Sequence, residues 1–82
     1  MDKNQIMESF WKELYSVFEK EAGQISNETI MRDDLNATSS HYFALIASIE
    51  ELTGESVPYS KIKACKTIDD LLEFLEGVID GA

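Results

Sequence analysis

The sequence predicts an all-α protein: a small bundle of three longer helices and one short helix, with a long loop between the first two longer helices. Apolar residues recur at helical spacing in three separate segments. No segment shows the strict alternation of apolar and polar residues that is typical of a half-buried strand. The chain has 82 residues, enough for one domain, so we assign residues 1–82 to a single domain.

The first helix is predicted from about Asn4 to Ala22, where one face is apolar and the other is charged. Gly23 follows as a stop signal. The polar stretch from Gln24 to Thr38 is predicted to be a long loop, and loops of this length in compact domains tend to be functional. The apolar face of the helix comprises Ile6, Phe10, Leu14 and Phe18, widened by Met7, Trp11 and Tyr15.

The second long helix is predicted from Ser39 or Ser40 to Leu52. Val57-Pro58 should be extended, because the residue before proline avoids the helical region. A single helical turn is expected from Ser60 to Ala64. In the second helix Phe43, Ile46 and Ile49 lie at spacings of three, flanked by Tyr42 and Leu45, and this spacing leaves Phe43 open between the core and the surface.

The last helix is predicted to follow Thr67 as its N-cap, with Asp70 completing a capping box. Its apolar face comprises Ile68, Leu71, Leu72, Leu75, Val78 and Ile79.

The composition excludes several classes of partner. The net charge is −9, from 16 acidic and 7 basic residues, which argues against nucleic acid and anionic membranes and favours partners with basic patches. Cys65 is the one cysteine, so no internal disulfide can form. Its position in the apolar pattern predicts buried packing. With no signal-peptide pattern and no apolar stretch of membrane-spanning length, we expect a cytoplasmic protein.

Ser39 marks the junction between a polar loop, Asp34–Thr38, and an apolar run, Tyr42–Ile46. A hydroxyl on the first turn of a helix lies near free backbone N–H groups and the positive end of the helix dipole, so a phosphate attached there would be stabilised. From the pattern alone, an ordinary N-cap at Ser39 or Ser40 is the simpler interpretation.

The arrangement of helices, loop and serine resembles that of the acyl carrier proteins. Asp33-Asp34-Leu35-Asn36-Ala37-Thr38-Ser39 resembles the family's Glu-Asp-Leu-Gly-Ala-Asp-Ser run, and Val57-Pro58 resembles its Ile-Pro at the same spacing. Thr67-Ile68-Asp69-Asp70-Leu71 resembles the Thr-Val-x-Asp-Leu that often opens the last helix. The resemblance covers most of the chain.

The resemblance implies an acyl-carrier-like bundle that carries 4′-phosphopantetheine, derived from coenzyme A, on Ser39. Fatty, polyketide or related acyl groups would be held on this arm as thioesters and delivered to other enzymes. The implied partners are a phosphopantetheinyl transferase, an acyl-loading enzyme, and synthases or acyltransferases with basic docking patches. The carrier itself is expected to be a monomer. The residues that the resemblance places in these contacts are Thr38, Ser40, Phe43, Ala47, Glu50, Glu51 and Val57. The acyl chain would enter the bundle near Phe43, Ile46, Leu71 and Leu75.

Several positions depart from the family pattern and keep two alternatives open. The usual Asp-Ser-Leu is Thr38-Ser39-Ser40 here, and His41 and Ala44 replace residues that are commonly acidic. These departures indicate a specialised carrier or, alternatively, an interaction module of the same fold without a prosthetic group. The other alternative is an unrelated acidic helical protein, such as an inhibitor or antitoxin that neutralises a basic partner.

We expect no catalytic activity and no metal site. His41 follows Ser39 by two residues, and residues two apart on a helix do not face each other, so a serine hydrolase is rejected and His41 is predicted to be a polar surface residue. Asp34, Asn36 and Thr38 alternate like the start of a calcium loop, but the glycine and glutamate that such a loop requires are missing.

Overall fold

In a computed structural model, which describes residues 1–81, the chain folds into five helices. Helix α3 packs against α1, α4 and α5, and α1 also packs against α5. Residues 1–81 contain no β-strand beyond one isolated bridge, so the predicted all-α bundle is confirmed. None of the helices in this range is both long enough and apolar enough to cross a membrane. The helices are α1 (Lys3–Phe18), α2 (Met31–Leu35), α3 (Ser39–Thr53), α4 (Tyr59–Lys63) and α5 (Ile68–Ile79).

The core draws side chains from all five helices, and the apolar face predicted for α1 is buried. In helix α3, Tyr42, Leu45 and Ile49 face inward and Phe43 is 58% exposed, which decides the position that its spacing had left open. The inward positions follow the spacing of three and four residues that keeps side chains on one helical face. The fully buried side chains are Phe10, Leu14, Met31, Leu45, Ile49, Ile62, Ile68, Leu71 and Leu75.

Helix α1 is shorter than predicted: it ends at Phe18, so its expected end at Ala22 with a stop at Gly23 was wrong. Glu19 adopts the left-handed conformation, with a φ of 54°. The N–H of Lys20 then bonds to the carbonyl of Tyr15 at 2.9 Å and closes the helix. Beyond Phe18 the sequence offers no large apolar side chain for another turn to bury, and most helical stability comes from such burial.

The segment predicted to be an irregular loop, Gln24–Thr38, contains the short helix α2. Its side chains Met31 and Leu35 are buried and anchor the segment to the core. The Asp34 carboxylate accepts a hydrogen bond from the N–H of Ile30 at 2.9 Å, which satisfies a free donor at the start of the helix.

Backbone hydrogen bonds join this segment to the start of α5. The N–H of Met31 bonds to the carbonyl of Lys66, and the N–H of Ile68 bonds to the carbonyl of Thr29, both at 3.0 Å. Ile30 and Thr67 form the isolated antiparallel bridge between them. The segment that leads to α3 is thus held by residues from the other end of the chain.

The capping box predicted for the last helix is present. The N–H of Asp70 donates to Thr67 Oγ1 at 3.1 Å, and the N–H of Thr67 donates to Asp70 Oδ2 at 3.2 Å. The same carboxylate accepts from the N–H of Lys66 at 3.0 Å. The hydrogen bonds from Lys66 and Thr67 lower the pKa of Asp70, because they favour its charged form.

Candidate functional site

Ser39 is the first residue of α3, with Thr38 before it in an extended N-cap conformation. The side chain of Ser39 is exposed. Within residues 1–81 the N–H groups of Ser39 and Ser40 have no hydrogen-bond partner, and the first turn contains no acid. A phosphate on Ser39 Oγ would therefore meet free donors and the positive end of a helix of 15 residues.

Buried residues hold this turn in place from both sides. Leu35 before it and Tyr42 after it are in the core. Between them Asn36 adopts the left-handed conformation, with a φ of 52°, and the N–H of Ala37 bonds to the carbonyl of Met31 at 3.1 Å. Ser39 is therefore presented from a fixed position on a packed element.

His41 is more than the polar surface residue predicted. Its ring is half-buried and packs against Phe18 of α1, with 4.8 Å between the ring centroids. Its Nδ1 accepts a hydrogen bond from the N–H of Thr38 at 2.9 Å, so the hydrogen of the neutral ring is on Nε2. The imidazole takes the part that Glu or Gln usually plays in a capping box. Within residues 1–81 no hydrogen bond links it to Ser39.

Tyr59, the first residue of α4, lies beside Ser39 and was missed by the sequence analysis. Its hydroxyl donates to Ser39 Oγ over a long 3.5 Å. Its ring stacks on Phe43 at 4.9 Å and meets Tyr42 edge-on at 6.3 Å between centroids. Ser39 is thus bordered by an aromatic cluster that consists of Tyr42, Phe43 and Tyr59.

The stretch from 54 to 58 explains how Tyr59 reaches the start of α3. Gly54 turns the chain at the end of α3 with a φ of 74°. The four residues after it can span up to about 14 Å, which is more than half of the length of about 22 Å for the 15 residues of α3. The stretch can therefore return along the helix. The carboxylate of Glu50 holds it there by accepting from the N–H of Val57 at 2.8 Å. The side chain of Val57 is buried in the core, so it is absent from the surface on which partner contacts were expected.

The other residues expected to contact partners lie around or beyond Ser39 on α3. Thr38, Ser40, Phe43, Ala47 and Glu51 are exposed. Glu50 is half-buried, and one of its carboxylate oxygens accepts the hydrogen bond from the N–H of Val57. Phe43 is one of few large exposed apolar side chains in residues 1–81, and it stacks on Tyr59, whose hydroxyl bonds to the serine.

The expected lining of an acyl-chain pocket is not assembled in this structure. Leu71 and Leu75 are fully buried, and Ile46 is half-buried. Phe43 is at the surface against Tyr59, so it does not belong to the packed interior that contains the two leucines.

Cys65 is buried, as predicted. Burial raises the pKa of its thiol, and the charge of Asp70 raises it further. A thiol that is harder to ionise is a poor nucleophile and metal ligand. In the part of the chain that the structure describes, no group of three His, Cys, Asp or Glu side chains could hold a metal ion.

Comparison with known protein families adds no assignment to this geometry, since no family model matches the chain.

Proposed function

We propose that the protein is an acyl carrier that holds acyl groups as thioesters on 4′-phosphopantetheine attached to Ser39. The observation that carries the proposal is the exposed hydroxyl at the first residue of α3, beside two N–H groups without partners. The resemblance of the run Asp33–Ser39 and of Val57-Pro58 to acyl carrier proteins supports it.

The protein's part in this activity is to anchor and present the arm. Ser39 Oγ would hold the phosphodiester, and the free N–H groups of the first turn would stabilise its charge. The thiol of the arm supplies the thioester chemistry. A tethered acyl group visits nearby active sites at a high effective concentration, so the carrier needs no catalytic group of its own. The imidazole of His41 is already engaged with Thr38, in keeping with this role.

The surface around Ser39 supports docking of enzymes with basic patches. Thr38, Ser40, Phe43, Ala47 and Glu51 form this docking surface, with half-buried Glu50 at its edge, and we exclude Val57 because it is buried. An exposed phenylalanine supplies apolar contact, and the net charge of −9 would steer Arg- and Lys-rich partners toward the protein. The partners in this proposal are a phosphopantetheinyl transferase, an acyl-loading enzyme and a synthase or acyltransferase. The carrier acts as a monomer in the cytoplasm.

Enzymatic labelling tests the proposal. The purified protein is incubated with coenzyme A and a promiscuous phosphopantetheinyl transferase, and its intact mass is measured. We expect a gain of one phosphopantetheine, which Ser39→Ala abolishes. Ser40→Ala is the matched control, because Ser40 is also exposed and lies on the same turn, and it should still be labelled. Labelling that survives in Ser39→Ala would contradict the choice of serine.

A second candidate function is an interaction module of the same fold without a prosthetic group. Exposure of Phe43 beside Ser39 suits protein docking whether or not an arm is present. Thr38 and Ser40 also replace the acid and the apolar residue usual in carriers. A folded protein that gains no mass with several transferases would favour this second function over the first.

A further inference from the structure

A cavity of about 590 Å³ lies between α2, α3, α4 and the start of α5, and no residue of the docking surface lines it. Three cationic side chains line it: Arg32 from α2, Lys63 from α4, and Lys66 from the turn before α5. We call it the basic cavity. Tyr42 also contributes to its wall, and Asp33 supplies its one carboxylate.

The charge of the basic cavity opposes that of the rest of the protein. It gathers three of the seven basic residues of a chain that has 16 acidic ones. The ion pairs found within residues 1–81 involve Lys3 on α1, which bonds to Glu76 and Asp80. No carboxylate in that range lies within 4.0 Å of the charged groups of Arg32, Lys63 or Lys66. In a protein with this excess of acids, cations clustered without partners form a local region that favours anions.

Tyr42 gives the cavity a polar group that lacks a partner. The residue is 4% exposed, yet its hydroxyl forms no hydrogen bond within residues 1–81. Every fully enclosed side-chain polar atom in this range does have a partner, so the hydroxyl must reach solvent, and the cavity is the opening that Tyr42 lines. Burial is the main cause that raises the pKa of Tyr42, which keeps the O–H available as a donor.

Two of these cations, Lys63 and Arg32, also act on Tyr42. The ammonium of Lys63 lies over the Tyr42 ring, 5.2 Å from its centroid. Arg32 of α2 lines the same cavity, and its charge acts to lower the pKa of Tyr42, against the larger effect of burial. A donor O–H and cations from separate elements therefore converge on one space.

We propose that the basic cavity binds a small organic anion that carries a carboxylate or phosphate group. Arg32, Lys63 and Lys66 would surround the anionic oxygens, and the Tyr42 hydroxyl would donate to one of them. Ile30 in the wall offers apolar contact to a short carbon stem. Ser39 is not among the residues that line the basic cavity.

A neighbouring hollow provides an internal control. It has a volume of about 620 Å³ and includes Glu28 and Asp69 but no Lys or Arg. The two spaces share Ile30 and Thr67, but the side chains that line them have opposite net charge. An anion bound in the basic cavity should not change the environment of Ser26 and Asn27, which line only the acidic hollow.

The test uses the unmodified protein and two probes. Amide chemical shifts are followed by NMR during separate titrations with sodium phosphate and sodium succinate, each at constant pH and at an ionic strength matched with sodium chloride. We expect saturable shifts at the amides of the basic cavity and none at Ser26 or Asn27. Saturation by phosphate alone assigns a phosphate ligand, and saturation by succinate alone assigns a carboxylate ligand.

Substitutions then separate the site from general charge effects. Arg32→Ala and Lys63→Ala should each weaken binding by up to about fivefold, and Tyr42→Phe by about two- to tenfold. The control is Lys12→Ala with Lys20→Ala, exposed lysines that do not line the cavity. Tyr42→Phe keeps the buried ring, and an unchanged dispersion of its NMR spectrum verifies the fold. Equal weakening by the control, no loss in Tyr42→Phe, or equal shifts with chloride would overturn the proposal.

Discussion

Replacing His41 tests how the turn that carries Ser39 is stabilised. The side chain makes two separable interactions: its Nδ1 accepts from the N–H of Thr38 at 2.9 Å, and its ring packs on Phe18 at 4.8 Å. Three substitutions divide them. His41→Gln keeps an acceptor that suits a capping box but removes the ring. His41→Phe keeps a ring and removes the acceptor, and His41→Ala removes both.

The expected losses follow from the two contacts. A hydrogen bond of this kind contributes about 1 kcal/mol to the free energy of unfolding, and an aromatic contact contributes about 1 kcal/mol. His41→Ala should therefore lose about 2 kcal/mol, and each of the other two variants about half of that. For a domain of this size, 1 kcal/mol corresponds to about 4–8 °C in Tm, so His41→Ala should melt about 8–16 °C below the original protein.

Thermal unfolding followed by far-UV circular dichroism measures these differences. Ser40→Ala is the control, because Ser40 is exposed on the same turn, and it should change stability by less than about 0.5 kcal/mol. If His41→Ala melted within a few degrees of the original protein, or if His41→Gln lost as much as His41→Ala, the assigned roles of the imidazole would be wrong. Since Ser39 lies on this turn, His41→Ala should also slow its labelling by a transferase, and His41→Gln should restore most of the rate.

Three further outcomes are expected. Leu45→Ala empties a fully buried position and should cost about 2–5 kcal/mol, enough to unfold much of a small domain, as measured by urea denaturation. Hydrogen bonds from the N–H groups of Lys66 and Thr67 lower the pKa of Asp70 in the folded state. The stabilisation by its carboxylate is therefore present above the unfolded pKa of about 3.9 and is lost as pH falls through the lower folded pKa. The difference in unfolding free energy between the original protein and Asp70→Asn should shrink on acidification, and a constant difference would contradict this. Cys65 should be alkylated slowly in the native protein and rapidly in denaturant, by intact mass, whereas equal rates would show that burial does not control its reactivity.

The long helices were predictable because apolar periodicity and capping residues give the same answer in each. The stripe from Ile6 to Phe18 and the capping box of Thr67 and Asp70 are both present. Helix ends were harder to predict. A glycine at position 23 is a strong stop signal, yet α1 ends at Phe18, where the apolar face runs out, and Glu19 takes the left-handed conformation instead. The lack of apolar side chains to bury after Phe18 thus determined the end of the helix more than the glycine did.

The surroundings of Ser39 depended on tertiary contacts that spacing does not reveal. Tyr59 reaches the serine because the stretch after α3 returns along it, held by the bond between Glu50 and Val57. Pro58 predicted that the residue before it is extended, but it could not predict the direction in which the chain runs after α3. The spacing of Phe43 on α3 could not decide between core and surface, because an apolar residue next to a buried face can equally stack on a neighbouring surface ring.

The backbone bonds that join Thr29 and Met31 to residues just before and within α5 have a consequence for biosynthesis. The segment that leads into Ser39 finds its partners only after α5 has left the ribosome. A nascent chain or a truncated fragment that ends before Lys66 would lack those two bonds, so the segment before Ser39 would be held only by buried side chains such as Met31 and Leu35. A protein that recognises this turn by its shape would therefore distinguish a folded product from one still being synthesised.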